Sequence, residues 1–186
     1  MILRKDLLLV AVIVLIGVIL FKGTKIQSVE EYYLTHIDDI TPESETIKIS
    51  IRVDNVLNHL DKLPPALVEK YIPKDGIILE ETEYVLRPGD TVFDVLLRTV
   101  RHNKIQMDYQ GSEKNRFGSV YIKGINHLYE YSCGPLSGWM YQVNDVFPDE
   151  GMSQYKLDDG DVITIHYTCD LGRDLNHPYY QNEVKE

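Results

Sequence analysis

The segment from Cys133 to Asp174 gathers the residue types best suited to recognition, including both cysteines of the chain and its single tryptophan. Trp139 and Tyr141 stand two apart in an alternating run, so they share one face of a strand. The preceding loop, Cys133-Gly-Pro-Leu-Ser-Gly138, is small-residue backbone whose amides can hydrogen-bond a ligand. Ser137, Gly138, Trp139, Tyr141 and Asn144 therefore form a candidate ligand-binding set, an aromatic platform for a flat or apolar molecule. The same alternation also describes an ordinary core strand packed on a helix. Both readings stand at this point.

Other chemistries find less in the residues. Asp158, Asp159 and Asp161 invite a calcium reading, but EF-hand spacing and a closing glutamate are missing. The six histidines are scattered, with no paired zinc spacing. Neither a Gly-x-Ser-x-Gly elbow nor a phosphate loop occurs. The expectation is a binding or structural protein, with no catalytic residues, no metal and no enzymatic activity.

Elements that would position these residues follow from periodicity. Thr46–Val53 alternates as a half-buried strand. Asp54–Gly76, with Pro64, Pro65 and Pro73, reads as mostly loop, with a turn of helix at Ala66–Lys70. Ile77–Leu86 is one strand or two short ones. Thr91–Arg101 is the strongest helix, opened by Thr91 and Asp94 at capping-box spacing. Ile105–Tyr109, Ser119–Ile122, Trp139–Val143 and Val162–Thr168 are further strands. Asn144-Asp145 and Asp158–Asp161 mark turns. One helix among several short strands predicts an α+β domain, a β-grasp-like mixed sheet wrapped on one main helix.

The first 45 residues read differently. Leu7–Phe21 is uninterrupted apolar sequence that would rise about 22 Å as a helix, against roughly 30 Å of hydrocarbon. Counted from Ile2, with Arg4, Lys5 and Lys22 snorkelling, it reaches spanning length. Residues 1–23 are thus expected to be an N-terminal transmembrane helix acting as a signal anchor. The alternative is a cleaved signal peptide and a secreted product, but no good pair of small residues marks a cut. Residues 24–45 are an acidic tether with a short helix near Val29–Thr35, and 175–186 a loose tail. A chain with net charge −10 repels phosphate backbones, which excludes nucleic acid as a partner.

An exported domain with two cysteines suggests one disulfide. Cys133 precedes the strand at Trp139–Val143 and Cys169 follows the strand at Val162–Thr168. Antiparallel pairing of those strands would bring the two sulfurs together, and the link would stabilise by roughly 3–4 kcal/mol. Two buried free thiols are the alternative.

The runs Ser137–Asn144, Tyr155–Ile163 and Tyr167–Gly172 together resemble the transcobalamin-like C-terminal domain of bacterial surface proteins. Pro88–Leu96 and Tyr121–Asn126 fit the same pattern. The resemblance covers roughly Thr46 to Asp174 and implies a β-grasp-like fold over residues 46–174 with a surface or transport-associated role. It also implies cobalamin or another corrinoid as ligand, although in the vitamin B12 carriers a helical domain holds the cofactor's other face. Asp145 departs from the glycine expected after Asn144. The combined expectation is a single-pass cell-membrane protein with its main domain extracellular, binding a small molecule or a surface or transporter protein. The rival is a structural or adhesive domain with no small-molecule ligand.

Overall fold

Ile47, Ile49 and Ile51 project from one face of a strand and need a second apolar layer to cover them. The computed structural model describes residues 6, 9–10, 12–15, 38–114 and 118–181. The chain divides into two compact units, Met1–Asp39 and Ile40–Glu186. In the first, residues 6, 9–10 and 12–15 are helical. The remainder of the expected anchor at 1–23, the helix near Val29–Thr35 and residues 24–37 of the tether lie outside the described residues. Among the described residues no helix is long and apolar enough to cross a membrane, so the transmembrane part of the expectation finds no support there.

The second unit is α+β and holds two sheets. Strand β1 (Thr46–Arg52) leads to a 3-10 segment, Asp54–Lys62, and to helix α1 (Pro65–Tyr71). Then come β2 (Ile77–Val85), helix α2 (Val92–His102), β3 (Met107–Gln110), β4 (Tyr121–Ile125), β5 (Leu128–Tyr129), β6 (Gly138–Val143) and β7 (Val162–Thr168). A 3-10 turn at Arg173–Leu175 and helix α3 (Pro178–Gln181) follow. The larger sheet runs β2-β1-β7-β6, with β1 and β7 parallel at its centre and antiparallel neighbours on either side. The smaller, β3-β4-β5, is antiparallel throughout.

Helix α2 forms where periodicity and capping agree. Thr91 Oγ1 accepts from the Asp94 amide, and the Asp94 carboxylate accepts from the Thr91 amide at 3.0 Å. Val92, Val95, Leu96 and Val100 turn inward and pack with Ile47, Ile49 and Ile51 of β1 and Ile163 and Ile165 of β7. A second cluster gathers Val53, Val56, Leu63, Leu128 and Tyr167 around the two cysteines. Trp139 packs against both.

Three differences from the sequence reading have local causes. The expected single sheet is two, because β5 is hydrogen-bonded to β4 along one edge and meets the larger sheet through side chains. Within the smaller sheet β4 turns into β5 through Asn126 and His127, both left-handed (φ 49° and 64°). Gly124 lies opposite Tyr129, whose ring would stand 2.8 Å from an added Cβ. The stretch at 54–76 holds the expected turn of helix as α1, with Pro65 in its first turn where the missing N–H costs nothing, but adds the unexpected 3-10 segment Asp54–Lys62. The supposed loose tail includes α3, tethered by the His177 amide to the Gly172 carbonyl.

Leu96 is fully buried in the main cluster, so Leu96→Ala should cost about 3 kcal/mol in stability. Loss of the cap in Thr91→Ala should cost only about 1 kcal/mol. Urea unfolding of both variants checks the ordering, and equal losses would contradict a core centred on α2.

Candidate functional site

The register of β6 with β7 decides where the candidate residues go. Trp139 lies opposite Tyr167, Tyr141 opposite Ile165 and Val143 opposite Ile163, all on the face that packs toward α2. Trp139 and Tyr167 meet edge to face with centroids 5.2 Å apart. The indole Nε1 donates to the Leu128 carbonyl at 3.0 Å, and the Tyr167 hydroxyl donates to the next carbonyl, Tyr129, at 2.7 Å. Two neighbouring side chains of the larger sheet thus satisfy two successive carbonyls of β5.

The loop before β6 is built by the disulfide and by Ser137. Cys133 and Cys169 are bonded, with Cα atoms 5.5 Å apart. Ser137 is buried; its Oγ accepts from the Cys133 amide, donates to the Gly134 carbonyl and lies 3.0 Å from the Tyr167 hydroxyl. The Tyr131 amide reaches the Ser137 carbonyl, and the Leu171 amide reaches the Leu136 carbonyl at 2.8 Å. Every polar atom of Ser137 is therefore engaged by the chain itself, and its role is to shape the loop.

Beside this loop lies a groove of about 560 Å3. Its walls include Tyr121, Tyr131, Leu136, Trp139, Leu171 and Tyr179. All but Trp139 are exposed large hydrophobics; Tyr131 is 63% and Tyr179 68% accessible. Singly exposed apolar residues are common, but several rimming one concavity mark an interaction site. Gly138 sits in the groove wall, and a Cβ added there would meet nothing within 4 Å. Packing does not demand glycine at that position; its absence of side chain leaves the groove open.

Of the five candidate residues, the groove brings together Ser137, Gly138 and Trp139. Tyr141 is buried in the main cluster and donates to the Glu150 carbonyl at 2.6 Å. Burial, reinforced by Glu150, pushes its phenol well above the usual value. Asn144 stands at the opposite end of β6 and makes the turn: Asn144 and Asp145 both take left-handed conformations (φ 51° and 63°). Asn144 Nδ2 donates to Asp161 at 2.8 Å and its Oδ1 accepts from the Val162 amide, which helps hold Asp145 where glycine was expected. Tyr121, Tyr131, Leu171 and Tyr179 escaped sequence reasoning, since they lie on separate elements and show no shared periodicity.

The acidic turn is similarly committed to structure. Asp161 accepts from the Asp158 amide and from Asn144, and Asp159 accepts from the Thr46 amide at 2.7 Å. Among the described residues no group of three or more His, Cys, Asp or Glu could hold a metal ion. A second cavity, about 740 Å3, opens on the other side of Gly134–Leu136 and is lined by charged residues including His59, Lys62 and Arg173. Arg173 is itself paired with Asp170 and stacked on Tyr180.

Comparison with known proteins adds the following. The profile of a domain of unknown function (DUF4430) matches residues 89–169. No curated protein matches the chain. Among solved structures, haptocorrin in complex with Cbi is similar at 11% identity and a TM-score of 0.47, over 69% of this chain and 26% of that one. A candidate metal-binding protein from Ruminococcus gnavus is similar at 10% identity and a TM-score of 0.40, over 67% of this chain and 96% of its own.

Two predictions follow from the seam and from β7. Tyr167→Phe leaves the Tyr129 carbonyl with one donor fewer beside a buried serine, and should cost about 1–3 kcal/mol in chemical unfolding. His166 lies 2.9 Å from Gln142, and burial lowers its pKa below the ordinary value of 6.5; Asp54, Asp145 and Asp174 oppose the shift while Arg52 adds to it. The unfolded chain then takes up the proton first. Stability is complete above pH of about 6.5 and declines as pH falls from there through the folded value. Replacing His166 by glutamine should flatten that decline in unfolding curves at pH 7.5 and 5.5, and an unchanged slope would refute the assignment.

Proposed function

We propose that this chain is an exported, membrane-tethered module that recognises a small ligand at the cell surface through the groove beside Trp139. The observation that carries this reading is the open, aromatic-walled concavity around Gly138, built on a disulfide-braced loop. Preformed apolar concavities with a few fixed polar groups are the usual form of small-molecule sites. Action is by contact, without catalysis. The apolar run at Leu7–Phe21 supplies the export signal and anchor, and the disulfide suits an oxidising exterior. The sheet order β2-β1-β7-β6, with a central parallel pair packed on α2, supports a β-grasp-like arrangement for residues 46–174.

The resemblance to transcobalamin-like domains makes a corrinoid the first ligand to try, delivered onward to a surface or transporter partner. A groove that grips one face of a flat molecule leaves the other wet, so affinity from this chain alone is modest. That loss is removed when a partner covers the second face.

Trp139 is the only tryptophan, so its emission reports directly on the groove. Titrating the full chain with cobinamide and cobalamin, corrected for their absorbance, should give a saturable change in that emission. Gly138→Val should abolish the change while leaving urea unfolding within about 0.5 kcal/mol of the parent, because the added methyls enter open space. A featureless titration with corrinoids and with flat apolar dyes, and no partner co-purifying from native membranes, would leave only a structural or adhesive role.

A further inference from the structure

The groove's aromatic wall is not chemically neutral, and one of its rings is bonded to a carboxylate. The Tyr121 hydroxyl donates to Glu130, and Glu130 adjoins Tyr131 in sequence. Tyr121 and Tyr131 both line the groove, so two phenol rings stand in its wall with a carboxylate bonded to one of them. Trp139 forms another wall, and Tyr179 and Tyr180 stand edge to face, 5.0 Å between centroids, at a third side. Among the described lining residues there is no lysine or arginine. An arginine of this same region already rests on one of these rings, Arg173 over Tyr180 at 4.2 Å.

Aromatic faces carry negative potential, and several of them around a cavity favour a cation that sheds its water easily. A quaternary ammonium group meets that condition, because its methyl groups pack against rings and make no hydrogen bonds to lose. The Glu130 carboxylate, one hydrogen bond behind the Tyr121 ring, adds attraction that salt screens only in part. The chain's net charge of −10 works in the same direction. Anionic ligands meet the opposite field.

We infer that the groove recognises an organic cation of the quaternary ammonium class, seated between Tyr121, Tyr131 and Trp139 with Glu130 behind Tyr121. This inference rests on the groove being the recognition site and names the chemistry that the site selects. The ammonium group belongs to a free solute or to a choline headgroup in a lipid, and the two sources are separable by experiment.

The full chain, held in a non-ionic detergent free of ammonium groups, is titrated with choline and with its neutral isostere 3,3-dimethylbutan-1-ol. Binding is followed by Trp139 emission and independently by broadening of the ligand's methyl proton signal. Choline should saturate at a concentration at least ten-fold lower than the alcohol. Glu130→Gln should raise the choline half-saturation about five-fold and leave the alcohol unchanged. Tyr131→Ala, at an exposed position, should weaken choline similarly without unfolding the protein. Vesicles of phosphatidylcholine, set against phosphatidylglycerol, assign the source: capture by the former alone identifies a lipid headgroup, and binding of free choline alone identifies a solute. Equal affinity for choline and the alcohol would overturn the cation assignment while keeping the groove as an apolar site. No saturable binding of either, by both readouts, would overturn it as well. If corrinoids and flat dyes also fail, the groove falls as a site altogether.

Discussion

Two hydrogen bonds from side chains to main chain fix the smaller sheet against the larger one, beside the apolar cluster that both share. Trp139 Nε1 and the Tyr167 hydroxyl, opposite one another on β6 and β7, donate to the adjacent carbonyls of Leu128 and Tyr129. Among the described residues strand β5 has a ladder partner only in β4; beyond that ladder Trp139 meets the Leu128 carbonyl, and Tyr167 and the Ser132 amide share that of Tyr129. A buried acceptor left unpaired costs about 1–3 kcal/mol, comparable to a large part of a domain's margin. The main chains also meet directly next to this contact, where the Tyr131 amide donates to the Ser137 carbonyl.

This arrangement dissolves the choice between core and platform for Trp139. The indole is half-buried, packs against both apolar clusters and is fixed by its N–H, yet it also forms part of the groove wall. A wall that is already immobilised loses little entropy when a ligand settles against it. Tyr141, two residues on, has no such dual exposure, because it is buried in the main cluster. The loop Gly134–Leu136 stands between two cavities, and the Cys133–Cys169 bond fixes its start. Its disulfide therefore braces the local shape of the groove as well as restricting the unfolded chain.

Much of the larger sheet was legible because its information is local. Ile47-Ile49-Ile51 and Ile163-Ile165-Tyr167 alternate with polar residues, and α2 carries both an apolar stripe and a capping box. The disulfide was legible through the antiparallel relation of β6 and β7. The second sheet was not, since β5 is two residues long and its attachment depends on donors tens of positions away in sequence. The groove was half legible. Gly138 and Trp139 lie in one run, whereas Tyr121, Tyr131, Leu171 and Tyr179 come from four segments among 13 tyrosines, most of which serve other ends. Exposure, the property that marks them, has no signature in a single sequence.

The acidic composition divides into two populations with different consequences. Asp90, Asp94, Asp159, Asp161 and Asp174 each accept a main-chain N–H at a turn or a cap, which explains why so many carboxylates cluster in loops. An amide donor brings no net charge of its own, so such bonding leaves the acidic field outside the chain in place. Glu130 instead accepts from the Tyr121 hydroxyl, whose ring lines the groove. The long-range part raises the encounter rate of cations and weakens with salt, whereas the aromatic walls act only at contact and hardly respond to it. Salt dependence thus separates steering from seating: association slows as ionic strength rises, while dissociation, governed by the rings, stays nearly constant.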